Sequence, residues 1–539
     1  MKRNVIVELK GTRSLRSMFE SAMNRSFSLN SPAVDPKLEG FTMDMAFPPV
    51  QLSTYEETEF DESNVFDSSR STSFSLNVKD STYLVRGELE ESDADNLRKK
   101  RNVVGVYSDP QIQTYLTCSG PAVGDDKDVE KLLDVIGMRK CKMTGKGVRV
   151  AIVDTGVNMN YLNANGKNPR FDAANSWKPV SANLVPGDAP VDHGTMCAYD
   201  VCIAAPDCTL LDIALLSTRR TGQTIMSGFL SDAILAYSHL LRVKNAPTRP
   251  GQNNSLVVNN SWGMYHPSWD FPIGDPGNFS DNPSHPFNKM VVTLERAGAD
   301  ILFAAGNCGS ECPDGRCQGY TSRPIYGANS SSHVLCVAGA DVQKNRVGYS
   351  SKGPGRLDKK KPDITGYTHF DGSGVYAADG GTSAACPVVA GVVAAIRTIR
   401  PNDTSNSITS PAAIRNLVTS TALDRGSSGY DYNYGYGIIN PREIMKRLCG
   451  VDHGALKDCI KILCKKYPRL CRYLMYCYRN PQKCQINRPV RMQNFEMRDD
   501  FSFVDEFEDE ELHSILQNFE DETEKESSTE YSKKCKCNH

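Results

Sequence analysis

Short apolar runs recur through the middle of this chain, and most close on a glycine, an amide or a carboxylate. They lie at 148–153, 208–215, 256–260, 300–305 and 334–339. Runs of that length, bounded by turn residues, read as buried strands. Longer stretches with helical spacing fall between or after them, at 195–203, 226–243, 286–298 and 385–399. Strand alternating with helix predicts a parallel sheet with helices on both faces, an α/β fold. An amphipathic helix over 127–140, with Val129, Leu132, Leu133, Val135 and Ile136 on one side, leads into the first strand. Two closing helices are predicted at 411–420 and 441–448, each with proline in its first turn.

The N-terminal part has a different rhythm. Residues 2–10 read as a strand, 14–23 as a helix and 82–89 as an alternating strand. Ser92 can cap a helix through Ala94, Leu97 and Arg98, and Val103–Tyr107 is a further strand before Asp109-Pro110. This order predicts a small α+β domain over 1–117. A stretch rich in Ser, Asp and Glu, at 48–80, interrupts it and is expected to be a disordered insertion. The run Arg98-Lys99-Lys100-Arg101 fits the solvated end of a helix better than a processing site.

The main domain is expected over 118–448. Beyond it, 449–490 is basic and carries Cys449, Cys459, Cys464, Cys471, Cys477 and Cys484. A small disulfide module and a helical appendage with free cysteines both fit that pattern. The remainder, 491–539, is acidic and expected to be disordered, ending Cys535-Lys536-Cys537-Asn538-His539.

Composition narrows the function. A net charge of -2 over 539 residues gives no argument for nucleic acid or an anionic membrane as partner. No apolar run reads as a transmembrane segment. The first ten residues do not form a secretory signal as written, since Glu8 and Lys10 break the apolar stretch. The 18 cysteines and the sequon Asn278-Phe279-Ser280 lean towards a secreted protein, with a cytoplasmic one as the alternative.

Candidate chemistry concentrates in four places. Gly380-Gly381-Thr382-Ser383-Ala384-Ala385-Cys386-Pro387 runs into an apolar helix, which puts the Ser383 hydroxyl at a helix N-terminus with Pro387 in the first turn. Asp154 ends a strand, where open α/β sheets keep their sites. His193 precedes Gly194-Thr195, and Asn307 follows Gly306 at the end of another strand. Taken singly, each could be a turn or a satisfied loop residue. In this chain order, they are not independent.

The blocks Asp154-Thr155-Gly156, His193-Gly194-Thr195 and Gly381-Thr382-Ser383-x-Ala385-x-Pro387 resemble those of subtilisin-like serine proteases, the subtilase family, in that family's order. Ser261-Trp262-Gly263 resembles its substrate-binding strand, and 350–354 with 361–364 the segment before the nucleophile. The resemblance implies a serine endopeptidase in which Ser383 attacks, His193 is the base, Asp154 orients His193, and the Asn307 amide with the Ser383 N–H meets the oxyanion. Ser261, Trp262, Gly263 and Gly306 would bind an extended peptide substrate. It also implies that 1–117 is a ferredoxin-like propeptide, acting as an intramolecular inhibitor and removed by self-cleavage between about Gln113 and Asp125. No cofactor is required and no metal ligand is assigned. Structural calcium is a family habit that this sequence does not display.

The chain departs from the family pattern at Met196-Cys197, Ala384, Cys386 and Val388, read as packing changes that remove no catalytic group. Cys308, Cys312 and Cys317 follow Asn307 directly, and their spacing favours a disulfide or free thiols over a metal site. Glu311 or Asp314 in that loop would bias the main specificity pocket towards basic side chains, unless the loop is a solvated turn. A protease-like protein that binds without turnover is the alternative function.

Overall fold

A nine-residue strand, Lys2–Lys10 (β1), opens the chain with Val5, Ile6, Val7 and Leu9 buried. Phe41–Met43 (β2) and Val50–Leu52 (β3) both pair with Thr82–Glu90 (β4), which pairs with β1. Val103–Ser108 (β5) lines the other side of β1. All these pairings are antiparallel, and a short helix, Ala94–Arg98, joins β4 to β5. The sheet order is β2-β4-β1-β5, with β3 also beside β4. Val50 and Leu52 are buried, so β3 is an ordered strand inside the stretch 48–80 that was expected to be disordered.

This computed structural model describes residues 2–12, 15, 17–18, 38–52, 82–115, 120–217, 226–247, 253–403 and 406–450. Most of the predicted helix 14–23, the rest of the insertion, the expected boundary near 117, the cysteine-rich segment and the acidic tail lie outside the described residues.

Gln111–Thr114 (β6) leaves the first sheet and joins the second half of the molecule. The strands that follow are Arg149–Val153 (β7), Arg170–Phe171 (β8), Thr209–Ile213 (β9), Ser227–Phe229 (β10), Leu256–Asn260 (β11), Trp262–Gly263 (β12), Ala299–Ala304 (β13), Leu335–Ala340 (β14) and Ile364–Tyr367 (β15). Seven of them form a parallel sheet in the order β15-β14-β13-β11-β7-β9-β8. On one face Ala151, Val153, Val258, Ile301 and Phe303 share a core with helices Leu230–Asn245 and Pro286–Arg296. Alternate side chains point the other way, where helices His193–Ala204 and Gly381–Ile399 pack on the sheet and on each other. Gly391 permits that crossing, because a Cβ there would collide with the Val201 carbonyl.

Three predicted boundaries moved. The helix over 127–140 is two helices, Asp126–Leu133 and Val135–Lys140. Asp134 between them adopts φ 55°, and its carboxylate caps the second helix by accepting from Gly137 N–H at 3.2 Å. The helix predicted from 226 starts at Leu230, because Ser227–Phe229 pairs as a strand with β6. Gly381–Ile399 starts before 385, and among the described residues it alone is long and apolar enough to cross a membrane. It is a core helix: every residue from Gly381 to Arg397 is buried. Near its end Arg397 makes a two-pronged ion pair with Asp300 at 2.5 and 2.7 Å.

Candidate active site

Two short blocks lock together at the C-terminal end of β7. Asp154 accepts from the Thr155 N–H at 2.7 Å, and the Thr155 hydroxyl accepts from the Gly194 N–H at 2.9 Å. Asn158 N–H donates to the Thr195 hydroxyl at 3.0 Å. Gly194 has to be glycine, since a Cβ would run into the Gly156 carbonyl. The histidine helix starts with Asp192 as N-cap, which fixes the direction of His193. His193 Nδ1 then lies 2.9 and 3.0 Å from the two Asp154 carboxylate oxygens. That contact puts the ring proton on Nδ1 and leaves Nε2 as a bare acceptor. Nε2 is buried and has no hydrogen-bond partner among the described residues.

Ser383 sits in the first turn of Gly381–Ile399, where backbone N–H groups lack intrahelical acceptors. Pro387 does not occupy that first turn as expected; it lies deeper in the helix. Having no N–H, it cannot donate to the Ser383 carbonyl four residues back. Ser261 Oγ donates to that carbonyl instead at 2.9 Å, and the Cys197 thiol approaches it at 3.6 Å. The Ser383 hydroxyl is within 3.2 Å of the carbonyls of both Tyr115 and Ser261.

Asn307 follows β13. Its side-chain oxygen accepts from the Thr382 N–H and the Thr382 hydroxyl, both at 3.0 Å. The same hydroxyl accepts from the Gly306 N–H at 3.0 Å. Two donors on Oδ1 turn the amide nitrogen of Asn307 away from Thr382.

The cleft beside these groups is filled by β6. It runs antiparallel between β10 and β12, with Gln113 opposite Gly263 and Thr114 opposite Trp262. Trp262 offers the cleft its backbone only; its ring packs in the core against Phe287 and Phe303, at 5.8 and 5.3 Å. Gly306 faces the ring of Tyr115, at 3.3 Å from where its Cβ would stand. The structure thus brings Asp154 to His193, and Ser383, Asn307, Ser261, Gly263 and Gly306 to one cleft.

Three residues around the cleft carried no signal in the sequence. Tyr115 is buried, with its ring edge-on to Tyr265 at 5.2 Å. Asn329 donates to the carbonyls of Trp262 and Ala304, both at 3.0 Å, and lies 3.4 Å from the Tyr115 hydroxyl. Arg316 stacks over Tyr265 at 3.9 Å and donates to Gln113 Oε1 at 2.8 Å.

The cysteine loop holds a Cys308–Cys317 disulfide, and Cys312 is disulfide-bonded as well. The expected acidic bias is not there. Glu311 is half-exposed and paired with Arg346 and Lys352, which hold its carboxyl down at about 2. Asp314 is engaged by Arg316, so its charge is neutralised, and the guanidinium reaches on to Gln113 of β6. Cys386 points at the Asn260 carbonyl, and burial pushes its thiol far up, which removes it as a nucleophile. Among the described residues only Asp154, His193 and Cys197 cluster closely enough to share a cation. Burial and the Asp154 charge keep the Cys197 thiol protonated, which makes it a poor ligand.

Comparison with known proteins agrees with this arrangement. Residues 145–437 match the subtilase family. The chain is 27% identical to Subtilisin Savinase of Lederbergia lenta over 303 residues, 55% of this chain and 90% of that protein. It is 28% identical to Subtilisin E of Bacillus subtilis over 306 residues, covering 65% of that protein. An alkaline protease of Alkalihalobacillus alcalophilus shares 27% over 305 residues, covering 64% of it. The chain belongs to the subtilase family, and its class is that of the subtilisin-like serine endopeptidases.

Proposed function

We propose that this chain hydrolyses peptide bonds through Asp154, His193 and Ser383, and that it is made as a self-processing zymogen. The observation that carries the reading is the Asp154–His193 contact, which leaves Nε2 bare on a ring whose neighbour, the Cys197 thiol, also lies 3.6 Å from the Ser383 carbonyl. A serine hydroxyl is a weak nucleophile and needs such a base. His193 Nε2 takes the Ser383 proton as Oγ attacks a substrate carbonyl carbon, then gives it to the leaving amine. Asp154 holds the tautomer and stabilises the imidazolium. The oxyanion is met by the Asn307 amide nitrogen and the Ser383 N–H, both pre-aimed. Water then cleaves the acyl-enzyme by the reverse proton path. No cofactor enters these steps.

Substrates are protein or peptide chains in extended form, paired on both sides as β6 is paired by β10 and β12. The N-terminal domain is its own first inhibitor, since β6 fills the groove. The Cys308–Cys317 bond supports an exported, oxidising setting.

An active-site serine probe tests the reading. Wild type freed of its N-terminal domain should be labelled, and Ser383→Ala should not. If neither is labelled even after a second protease has removed that domain, the chain is a binding protein with a protease fold.

A further inference from the structure

We propose that Asp200 and Asp379 hold one proton between them, and that this buried acid–carboxylate pair positions the turn leading to Ser383 against the helix that starts at His193. The positioning role rests on the proposed triad; the shared proton does not.

The two carboxyls belong to the two helices of the site. Asp200 lies about two turns into His193–Ala204, and Asp379 immediately precedes Gly380, the N-cap of Gly381–Ile399. Both are fully buried, and their side chains are in hydrogen-bond contact. Their surroundings differ. Asp379 accepts from the Ser373 N–H and the Ser373 hydroxyl, both at 2.5 Å, which suits a charge. Neither oxygen of Asp200 receives a hydrogen bond from an N–H or a hydroxyl among the described residues. A buried carboxylate without a donor is costly, and two facing carboxylates cannot both stay ionised. A proton on Asp200, donated to Asp379, satisfies both.

The other groups around the pair do not replace that proton. Lys167 acts on Asp200, but it pairs with Asp126 at 3.4 Å and lies over the Tyr199 ring at 4.5 Å. The Tyr199 hydroxyl also donates to Asp126, at 2.9 Å. Asp126 and Asp371 add negative charge, while the Cys197 thiol and the Tyr199 hydroxyl are held protonated by burial. A metal ion is a poor rival, because no third Asp, Glu, His or Cys among the described residues is close enough to complete a ligand set with the two. Burial and then the charge of Asp379 push the Asp200 carboxyl far up. Burial raises Asp379 to about 6 against the pull of Ser373. Above about pH 6 the pair therefore keeps one proton.

Asp379 is also where its loop closes. Its N–H donates to the Phe370 carbonyl at 2.8 Å, and its carbonyl accepts from the His369 N–H at 2.7 Å. Tyr376 in the same loop donates to Asp192, the N-cap before His193, at 2.5 Å. The loop is thus fastened to the histidine helix at its start and at its middle, and Gly380-Gly381 lead directly from it towards Ser383.

Urea unfolding of the full chain in a Ser383→Ala background, from pH 6.5 to 8.5, tests the proton. An unfolded aspartate titrates near 3.9, so in this window only the folded state holds it. The unfolding equilibrium constant of the parent should rise against that of Asp200→Asn by about 10-fold per pH unit. Parallel curves overturn the shared proton, whether or not the chain is a protease. Should Asp200→Asn not fold, infrared spectra of the parent at pH 8.5 decide. A protonated-carboxyl band that shifts on isotope labelling of aspartate is expected, and its absence overturns the proposal.

Steady-state kinetics with Ser383 in place tests the positioning. Asp200→Ala removes the donor and should lower kcat about 10²-fold, the cost of a small misplacement. Asp200→Asn, whose amide supplies a permanent N–H, should recover most of that. Equal losses in the two variants overturn the positioning role and leave the proton standing. No turnover by wild type freed of its N-terminal domain removes the triad and the positioning role together, and the unfolding curves still judge the proton.

Discussion

Thr382 holds two neighbours at once: its N–H and hydroxyl both donate to Asn307 Oδ1, and its hydroxyl accepts from Gly306 N–H. The proposed oxyanion donor is therefore aimed before substrate arrives. Asn307→Ala should lower kcat about 10²–10³-fold, the loss known for a subtilisin oxyanion donor, with little change in KM. Steady-state kinetics on a peptide ester decides it, and a loss confined to KM would mean that Asn307 binds rather than stabilises charge. Asp154, His193, Asn307 and Ser383 were legible in the sequence because each sits in a block whose small residues have local jobs, such as Gly194 against Gly156 and Thr155 beneath Gly194. Tyr115, Asn329 and Arg316 were not. Arg316 meets Gln113 across 203 positions, and nothing near either residue announces the other. The Glu311 and Asp314 expectation failed for the same reason, since their neutralising arginines and lysine could not be seen from the loop alone.

At the scale of elements, the helix that carries Ser383 is fixed at both ends by groups outside it. Near its start, Ser261 supplies the hydrogen bond that Pro387 cannot. Near its end, Arg397 grips Asp300 and also donates to the Thr409 carbonyl at 2.5 Å. Breaking a buried ion pair by removing one partner strands the other charge, so Arg397→Met should cost about 3–5 kcal/mol. Replacing both residues by apolar ones should recover much of that. Urea unfolding in a Ser383→Ala background measures both, and an Arg397→Met cost under 1 kcal/mol, about the worth of a surface pair, would show the pair to be solvated. The helix itself was readable from its apolar run, but its start was not. Periodicity is silent where Gly380 and Gly381 let the chain turn inward, and Pro387 looked like a first-turn residue only because a proline is usually excluded deeper in.

At the scale of the molecule, the N-terminal domain is held by a polar seam. Arg86 reaches Asp232 at 2.6 Å, Arg98 reaches Asp275 at 2.6 Å, and Ser231 donates twice to Asp109. His285 joins that seam. Its Nε2–H donates to the Ser108 carbonyl at 2.9 Å, while Nδ1 accepts from Phe287 N–H at 3.2 Å. Burial pushes its pKa down to about 4. The unfolded value is about 6.5, so between the two the unfolded chain binds the extra proton. The stabilisation is full above about pH 6.5 and is lost as pH falls towards 4, up to roughly 3 kcal/mol. Melting of the uncleaved Ser383→Ala chain should therefore drop between pH 7 and 4.5, and His285→Gln should flatten that drop. A melting temperature that rises on acidification in that window would contradict it.

The same seam has a kinetic side. While the chain is continuous, β6 is tethered beside its groove, and its effective concentration there is set by a few residues of backbone rather than by the solution. A cut in the chain after β6 would convert a first-order association into a second-order one. Occupancy of the groove by β6 would then depend on how much protein is present, so the same cleaved molecule would be closed when concentrated and open when dilute.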